Sequence, residues 1–308
     1  MDTSFDKIEV EVYEKGQKHE KQQRLSIIEF AKKFSTDKKC REYLFQKKWK
    51  NGFVCPKCGS FHYCELSNGL YQCNDCHHQT SVTAGTILHR THVPLTKWFL
   101  AFYFVTQDKR GVSAVQLSKT LDVTYKTAWY MIKRIRCAMK QRDINCMLLG
   151  TIEFDDTYIG GPTVGKKRGI GTEKSKVFVA VSIDKKGRPK YLKMQTTDNI
   201  QQRSVRKFAQ ANIQAEATII SDVYRSYIPA LKDYKHEHGV YNPDAGMLHW
   251  LHTMIGNAKV FILGTYHGLP KKNLQEYLDE FCYRFNRRHF PNLCDRLTNA
   301  IALSSFAD

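Results

Sequence analysis

The chain has 308 residues, with 48 Lys+Arg against 30 Asp+Glu, and its formal charge of +18 is spread over both halves. That length has room for two or three domains of roughly 100–200 residues, and the charge calls for a polyanionic partner. The sequence holds no apolar run of the ~18 residues a membrane span needs, and Met1–Lys21 lacks a signal-peptide core, so the expectation is an intracellular protein without a membrane partner.

In chain order, residues 1–50 read as a helical preface: Ile27, Ile28, Phe30 and Phe34 fall at helical spacing, and a second short helix is expected around Glu42–Lys48. Asn51-Gly52 breaks it, and residues 51–92 form a cysteine-rich module with short β-type pieces. Cys55-Pro-Lys-Cys58 and Cys73-Asn-Asp-Cys76 are separated by fourteen residues. Each pair can form a tight knuckle, and four thiolates complete the tetrahedron that Zn²⁺ prefers. Such a closed site is structural. A redox Cys-x-x-Cys is the rival reading, and Cys64, His62, His77 and His78 are bystanders to the four-cysteine count, although His77 or His78 could replace a cysteine in an irregular site.

Residues 93–141 are helical and carry a helix-turn-helix pattern. Leu95, Phe99, Phe102 and Val105 mark the face of a first helix that Gly111 ends. Ser113 caps the next, expected to bury Val115, Leu117 and Leu121. After the turn Asp122-Val123-Thr124, Ala128, Met131, Ile132 and Ile135 pack a longer helix. Thr124, Tyr125, Lys126 and Thr127 then lie at its exposed N-terminal end, where a recognition helix meets bases. Lys133, Arg134 and Arg136 are expected to add phosphate-binding charge. An ordinary helical hairpin with a solvated basic face is the alternative.

Residues 142–308 change character. Strands are expected at 151–159, 176–184 and 189–197, then a helix near 203–212 and a strand at 217–222, a β-β-β-α-β run. The glycine-rich basic stretch between the first two strands reads as a loop, and two helices, about 248–263 and 271–288, follow. Along TIEFDDTYI, Glu153, Asp155 and Thr157 share one strand face, opposite Ile152, Phe154 and Asp156. Asp222 ends its strand, where sites in mixed α/β sheets gather, unless it only caps a following helix. Two carboxylates on neighbouring strands can hold Mg²⁺ for phosphodiester chemistry. His252 and Lys259 lie two turns apart on one helix face with Gly256 between them, and His249 sits on an adjacent stripe.

These residues resemble the insertion-sequence transposases of the DDE class with an N-terminal zinc ribbon. The resemblance covers about residues 30–290 and is carried by GFVCPKCGS, YQCNDCHHQTSVTAGTILHRTHVPLTKWFLA, TIEFDDTYIGG, IISDVYRSY and ILGTYHG…LQEYLDEFCYRFNRR. It implies an α/β, ribonuclease-H-like mixed-sheet catalytic domain behind the ribbon and helix-turn-helix. It also implies a prokaryotic, cytoplasmic, nucleoid-associated protein that acts on double-stranded DNA, both transposon ends and target, as a homodimer or larger assembly. Asp155 and Asp222 match the first two catalytic ligands. No Glu occurs in the helix 248–263, and His252 falls where many relatives carry the acidic third ligand, with His249 where others carry Asn. The resemblance therefore implies a DD-H-K variant, with Lys259 on phosphate and either Mg²⁺ or Mn²⁺ as the catalytic metal. Glu153, facing as Asp155 does, is expected to buttress the ligands. Other readings are a DNA-binding transcription regulator with a non-catalytic C-terminal half, a decayed transposase that binds without cutting, and a plain nuclease.

Overall fold

The computed structural model describes residues 25–160, 174–242, 244 and 246–305. Most of the glycine-rich segment read as a loop lies outside those residues.

Helix α1 (Ile27–Lys33) starts at a capping box: the Ser26 hydroxyl accepts from the Glu29 amide, and the Glu29 carboxylate accepts from the Ser26 amide. Thr36 caps helix α2 (Asp37–Lys48). Of the four apolar residues expected to mark this preface, Phe30 and Phe34 are buried while Ile27 and Ile28 face outward. Strands β1 (Tyr63–Glu65), β2 (Tyr71–Cys73) and β3 (Gln79–Thr80) form a small antiparallel sheet. It is held to α2 by aromatic contacts, with Phe45 4.9 Å from Tyr71 and Trp49 5.0 Å from Phe53 between ring centroids.

Helices α3 (Leu95–Gln107), α4 (Ala114–Leu121) and α5 (Tyr125–Asp143) form the helix-turn-helix region. Ser113 caps α4 and Thr124 caps α5 through their hydroxyls, as the residue types favour. Leu117 and Leu121 are buried, but Val115 is exposed, which corrects the expected core set. Val115 and Leu117 are two residues apart, about 200° around the helix, so one of them must face solvent.

The C-terminal half is built on a five-stranded sheet ordered β6-β5-β4-β7-β8, from β4 (Thr151–Ile159), β5 (Ser175–Ile183), β6 (Pro189–Thr197), β7 (Thr218–Asp222) and β8 (Lys235–Gly239). The first three strands run antiparallel, whereas β7 and β8 run parallel to β4 because helix α6 (Gln202–Asn212) crosses between β6 and β7. This mixed order is the ribonuclease-H-like fold. On one face, Ile152, Phe154 and Phe178 of the sheet pack against Val205 and Phe208 of α6. Val177, Val179, Val181 and Leu192 pack helices α8 (His249–Tyr266) and α9 (Leu274–Asn286) on the other. A short helix, α7 (Tyr227–Ala230), follows β7.

The last helix, α10 (Leu293–Leu303), returns to the front of the molecule: Leu297 and Ile301 join the core that holds Phe30, Trp98 and Phe99. Two short ion pairs, beside a longer one from Lys133 to Glu276, fasten α5 to α9 and its end. Arg136 Nε donates to Glu280 Oε2 at 2.7 Å, with the guanidinium 3.6 Å from the Tyr277 ring centre, and Arg287 meets Asp143 at 2.6 Å. Arg284 holds the other Glu280 oxygen at 2.7 Å. Removing one member of a buried set strands its partners' charge, so Glu280→Ala should cost about 3–5 kcal/mol. Chemical denaturation checks this, and a variant within 1 kcal/mol of the wild type, on the order of experimental error, would show that the clamp carries no stability. Among the described residues no helix is long and apolar enough to cross a membrane.

Candidate functional site

The four ribbon cysteines meet at one point. Cys55 and Cys76 lie 3.6 Å apart, as do Cys58 and Cys73. Bonds of ~2.3 Å from a central Zn²⁺ give a tetrahedral edge of ~3.8 Å, so the quartet fits the ion. The amides of Cys76 and Asp75 point at Cys73 and hold its thiol at about 6. Cys64, His62, His77 and His78 stand outside the quartet.

At the start of α5, the Thr124 and Thr127 hydroxyls are 2.9 Å apart, Thr124 also caps the Thr127 amide, and Tyr125 and Lys126 are exposed. Lys133 lies 3.7 Å from Glu276 on α9. Arg134 and Arg136 are a correction. Arg134 is buried, donating to the carbonyls of Ile87 and His89 at 2.8 Å each and to the Tyr130 hydroxyl, and Arg136 is the clamp residue described above. Both guanidiniums face inward, where phosphate does not reach.

In the sheet, β4 and β7 run parallel with Glu153 beside Ile220. The pairing ends there, and two residues further along each strand come Asp155 and Asp222, close enough for the Asp222 charge to act on Asp155. Asp155 Oδ1 accepts from the Asp156 amide at 2.7 Å and from the Tyr227 hydroxyl at 3.3 Å. Burial, with the nearby Asp222 and Asp156 charges, pushes Asp155 up to about 7. Asp156 points to the other strand face and accepts the Tyr227 hydroxyl at 2.5 Å. Asp222 does not cap a helix, because α7 begins at Tyr227 with Ser226 before it. Its carboxyl is raised by burial and drawn down by His252, and its Oδ1 is buried with no hydrogen-bond partner among the described residues.

His252 comes from the first turn of α8, its ring 4.9 Å from that of Tyr241. Partial burial and the Lys259 charge hold it below the usual histidine range, against the pull of Asp222. Lys259 is itself lowered by burial and by Lys174. His249 lies elsewhere, edge-on to Trp250 and close enough to Glu153 for its charge to be felt there. Asp155, Asp222, His252, Lys259 and Lys174 thus form a run of electrostatic neighbours. Among the described residues only the cysteine quartet forms a group of three or more ligand atoms all within 4.8 Å of one another, so Asp155, Asp222 and His252 do not close into such a trio. Crowded carboxyls lifted by burial, one with an unpartnered oxygen, are the donor set that a hard divalent cation neutralises. Tyr227 and Tyr241 had no separate mark in the sequence. Tyr227 falls within the IISDVYRSY motif, but its hydroxyl contact depends on α7 folding back over β4.

A transposase zinc-ribbon domain family matches residues 35–79, and an ISXO2-like transposase domain family matches residues 147–286. An uncharacterized protein in transposable element ISH50 of Halobacterium salinarum is 30% identical over 145 residues, 44% of this chain and 47% of that protein, so the match spans about half the relative's length. The solved Mos1 strand transfer complex covers 68% of this chain and 78% of its own at 11% identity and a TM-score of 0.29. A pre-cleavage Mos1 transpososome covers 68% and 79% at 12% identity and a TM-score of 0.27, and both superpositions are too loose to bear on the assignment. Residues 35–79 thus belong to a transposase zinc-ribbon family and residues 147–286 to an ISXO2-like transposase domain family, in the order expected of an insertion-sequence DDE-type transposase with an N-terminal zinc ribbon.

Proposed function

We propose that this chain binds the terminal inverted repeats of its insertion sequence, cuts the DNA there and joins the released 3′ end to target DNA. The observation that carries the reading is the closeness of Asp155 and Asp222, just beyond the paired stretch of two parallel strands, where each carboxyl is raised by burial, the Asp222 charge acts on Asp155 and His252 acts on Asp222. In this reading residues 51–92 are the ribbon, 93–141 the DNA-binding region and 142–308 the catalytic domain, and the chain works on the nucleoid in a prokaryotic cytoplasm. Asp155 and Asp222 hold Mg²⁺ or Mn²⁺, with His252 as the third ligand. Divalent metal bound there supplies activation of the attacking oxygen and stabilisation of the leaving one. His252 as a nitrogen ligand shifts preference toward Mn²⁺. Lys259 orients the DNA backbone, and two copies act on paired ends.

At the DNA-binding face, Thr124, Tyr125, Lys126 and Thr127 approach the bases while Lys133 serves the backbone. Lys126→Ala should weaken binding to end DNA and lower the salt slope by about one counterion, whereas Arg134→Ala should lower thermal stability, since it breaks three hydrogen bonds, one buried and two partly buried. Fluorescence anisotropy across a salt series and thermal melts separate the two. Equal loss of affinity with unchanged melting in both variants would return Arg134 to the DNA surface. The function itself is tested by incubating the full chain with labelled end and target DNA and Mn²⁺. Cleaved and joined products support transposition. Binding without cleavage in any metal supports a regulator or a decayed copy, and nicking that ignores terminal repeats supports a plain nuclease.

A further inference from the structure

Helix α8, which carries His252 and Lys259, begins without a cap of its own. The residue before its first turn is Leu248, in the left-handed region at φ 54° and ψ 29°, with no side-chain cap bond. An N-cap side chain works from extended backbone, so no residue at this position in this conformation could serve the first-turn amides. The acceptor comes from 98 residues away: Glu153 Oε2, on β4, takes the Leu251 amide at 2.7 Å, and the Trp250 amide also points at this carboxylate. Beside it, the Trp250 indole donates to the Gly187 carbonyl at 2.7 Å, fixing the same turn to the β5–β6 hairpin.

The two ends of the Glu153 contact have neighbours that matter. Glu153 lies two residues before Asp155 on the same strand face, and Leu251 is followed directly by His252. We propose that Glu153 is a positioning residue: its hydrogen bond to the α8 amides locks that helix to β4 and sets where His252 stands relative to Asp155. The inference rests on the reading of Asp155 and His252 as ligands of one metal site. A serine or aspartate cap within α8 would satisfy the same amides but leave the helix free to slide along the sheet. A carboxylate reaching from β4 ties both ligand-bearing elements at one point, at the cost of burying a charge that helix-start amides and dipole then stabilise.

The test uses the full chain and Mn²⁺ alone. Glu153→Met keeps the side-chain volume and removes the acceptor, which protects folding; Glu153→Gln keeps an acceptor and removes the charge. Amide hydrogen exchange at Leu251 and His252 should quicken in E153M and stay near the wild type in E153Q. Mn²⁺ affinity should fall about 10- to 100-fold in E153M, the range for residues that orient metal ligands, and recover to within about threefold in E153Q. Unchanged Leu251 exchange in E153M would overturn the inference whatever the metal does. Equal loss of affinity in E153M and E153Q would make Glu153 a ligand or a source of field instead, and overturn it too. Mn²⁺ binding by the wild type that Asp155→Asn leaves intact would overturn the metal-site reading, while the exchange data would still decide whether Glu153 places α8.

Discussion

Asp155→Asn and Asp222→Asn chains should fold, bind end-containing DNA and cut it at least about 1,000-fold more slowly than the wild type, a loss of about 4 kcal/mol of transition-state stabilisation. Asparagine keeps the shape and one oxygen of each side chain but removes the charge that draws a divalent cation to this strand pair. The same change should raise the stability of the metal-free protein. Burial holds the Asp155 carboxyl up at about 7 in the folded chain, against an ordinary value near 3.9 when unfolded. The folded state therefore takes up its proton more readily. The stability this contributes is complete below about pH 4 and is lost as pH rises through about 7. Metal-free wild type should consequently melt lower at pH 8 than at pH 5 on this account, and Asp155→Asn should flatten that dependence and melt higher at pH 8. Thermal melts of the zinc-loaded chain without added Mg²⁺ or Mn²⁺ at the two pH values, set beside single-turnover cleavage, check both halves. A variant that loses stability along with activity would mark Asp155 as a structural carboxylate.

Zinc removal should be the larger structural insult. The ribbon sheet consists of strands of three, three and two residues, too few backbone pairs to persist unaided. Structural zinc contributes about 10–16 kcal/mol of apparent binding energy in comparable small modules, which the aromatic contacts to α2 cannot replace. Chelation, or Cys73→Ser, should unfold residues 53–80 and expose Trp49, whose ring packs at an angle against Phe53 and Tyr71. Cys64→Ser should leave the metal in place, because Cys64 is exposed and apart from the quartet. Native mass spectrometry should find one zinc per chain, and Trp49 fluorescence should shift to the red on chelation. An unchanged spectrum in the zinc-free chain would show that the aromatic cluster alone holds the ribbon.

The features most legible in the sequence were those with local rules. Paired Cys-x-x-Cys knuckles, the capping serine and threonine of the helix-turn-helix, and the alternation of TIEFDDTYI each encode geometry within a few residues. The alternation alone separated Asp155 from Asp156, and the fold preserves that separation by register. Strand β8 escaped because KHEHG is polar on both faces, as suits an edge strand that must not recruit another chain. Helix α10 escaped because its partners, on α2, α3 and α5, lie in the distant first half of the chain. Charge was the poorest guide. Arg134 and Lys126 look alike in a basic helix, yet one is spent on carbonyls inside the protein and the other faces solvent. Glu153 shows the same limit from the other side: its strand face was readable, but its partner, 98 residues on, was not.

Crystals of the chain soaked in Mn²⁺, measured at the manganese absorption edge, give the most direct test of the catalytic reading. The account predicts an anomalous peak between the Asp155 and Asp222 carboxylates, with His252 turned toward it, and no peak there in Asp222→Asn. Manganese bound elsewhere, with those two carboxylates left without a metal in the wild type, would contradict it.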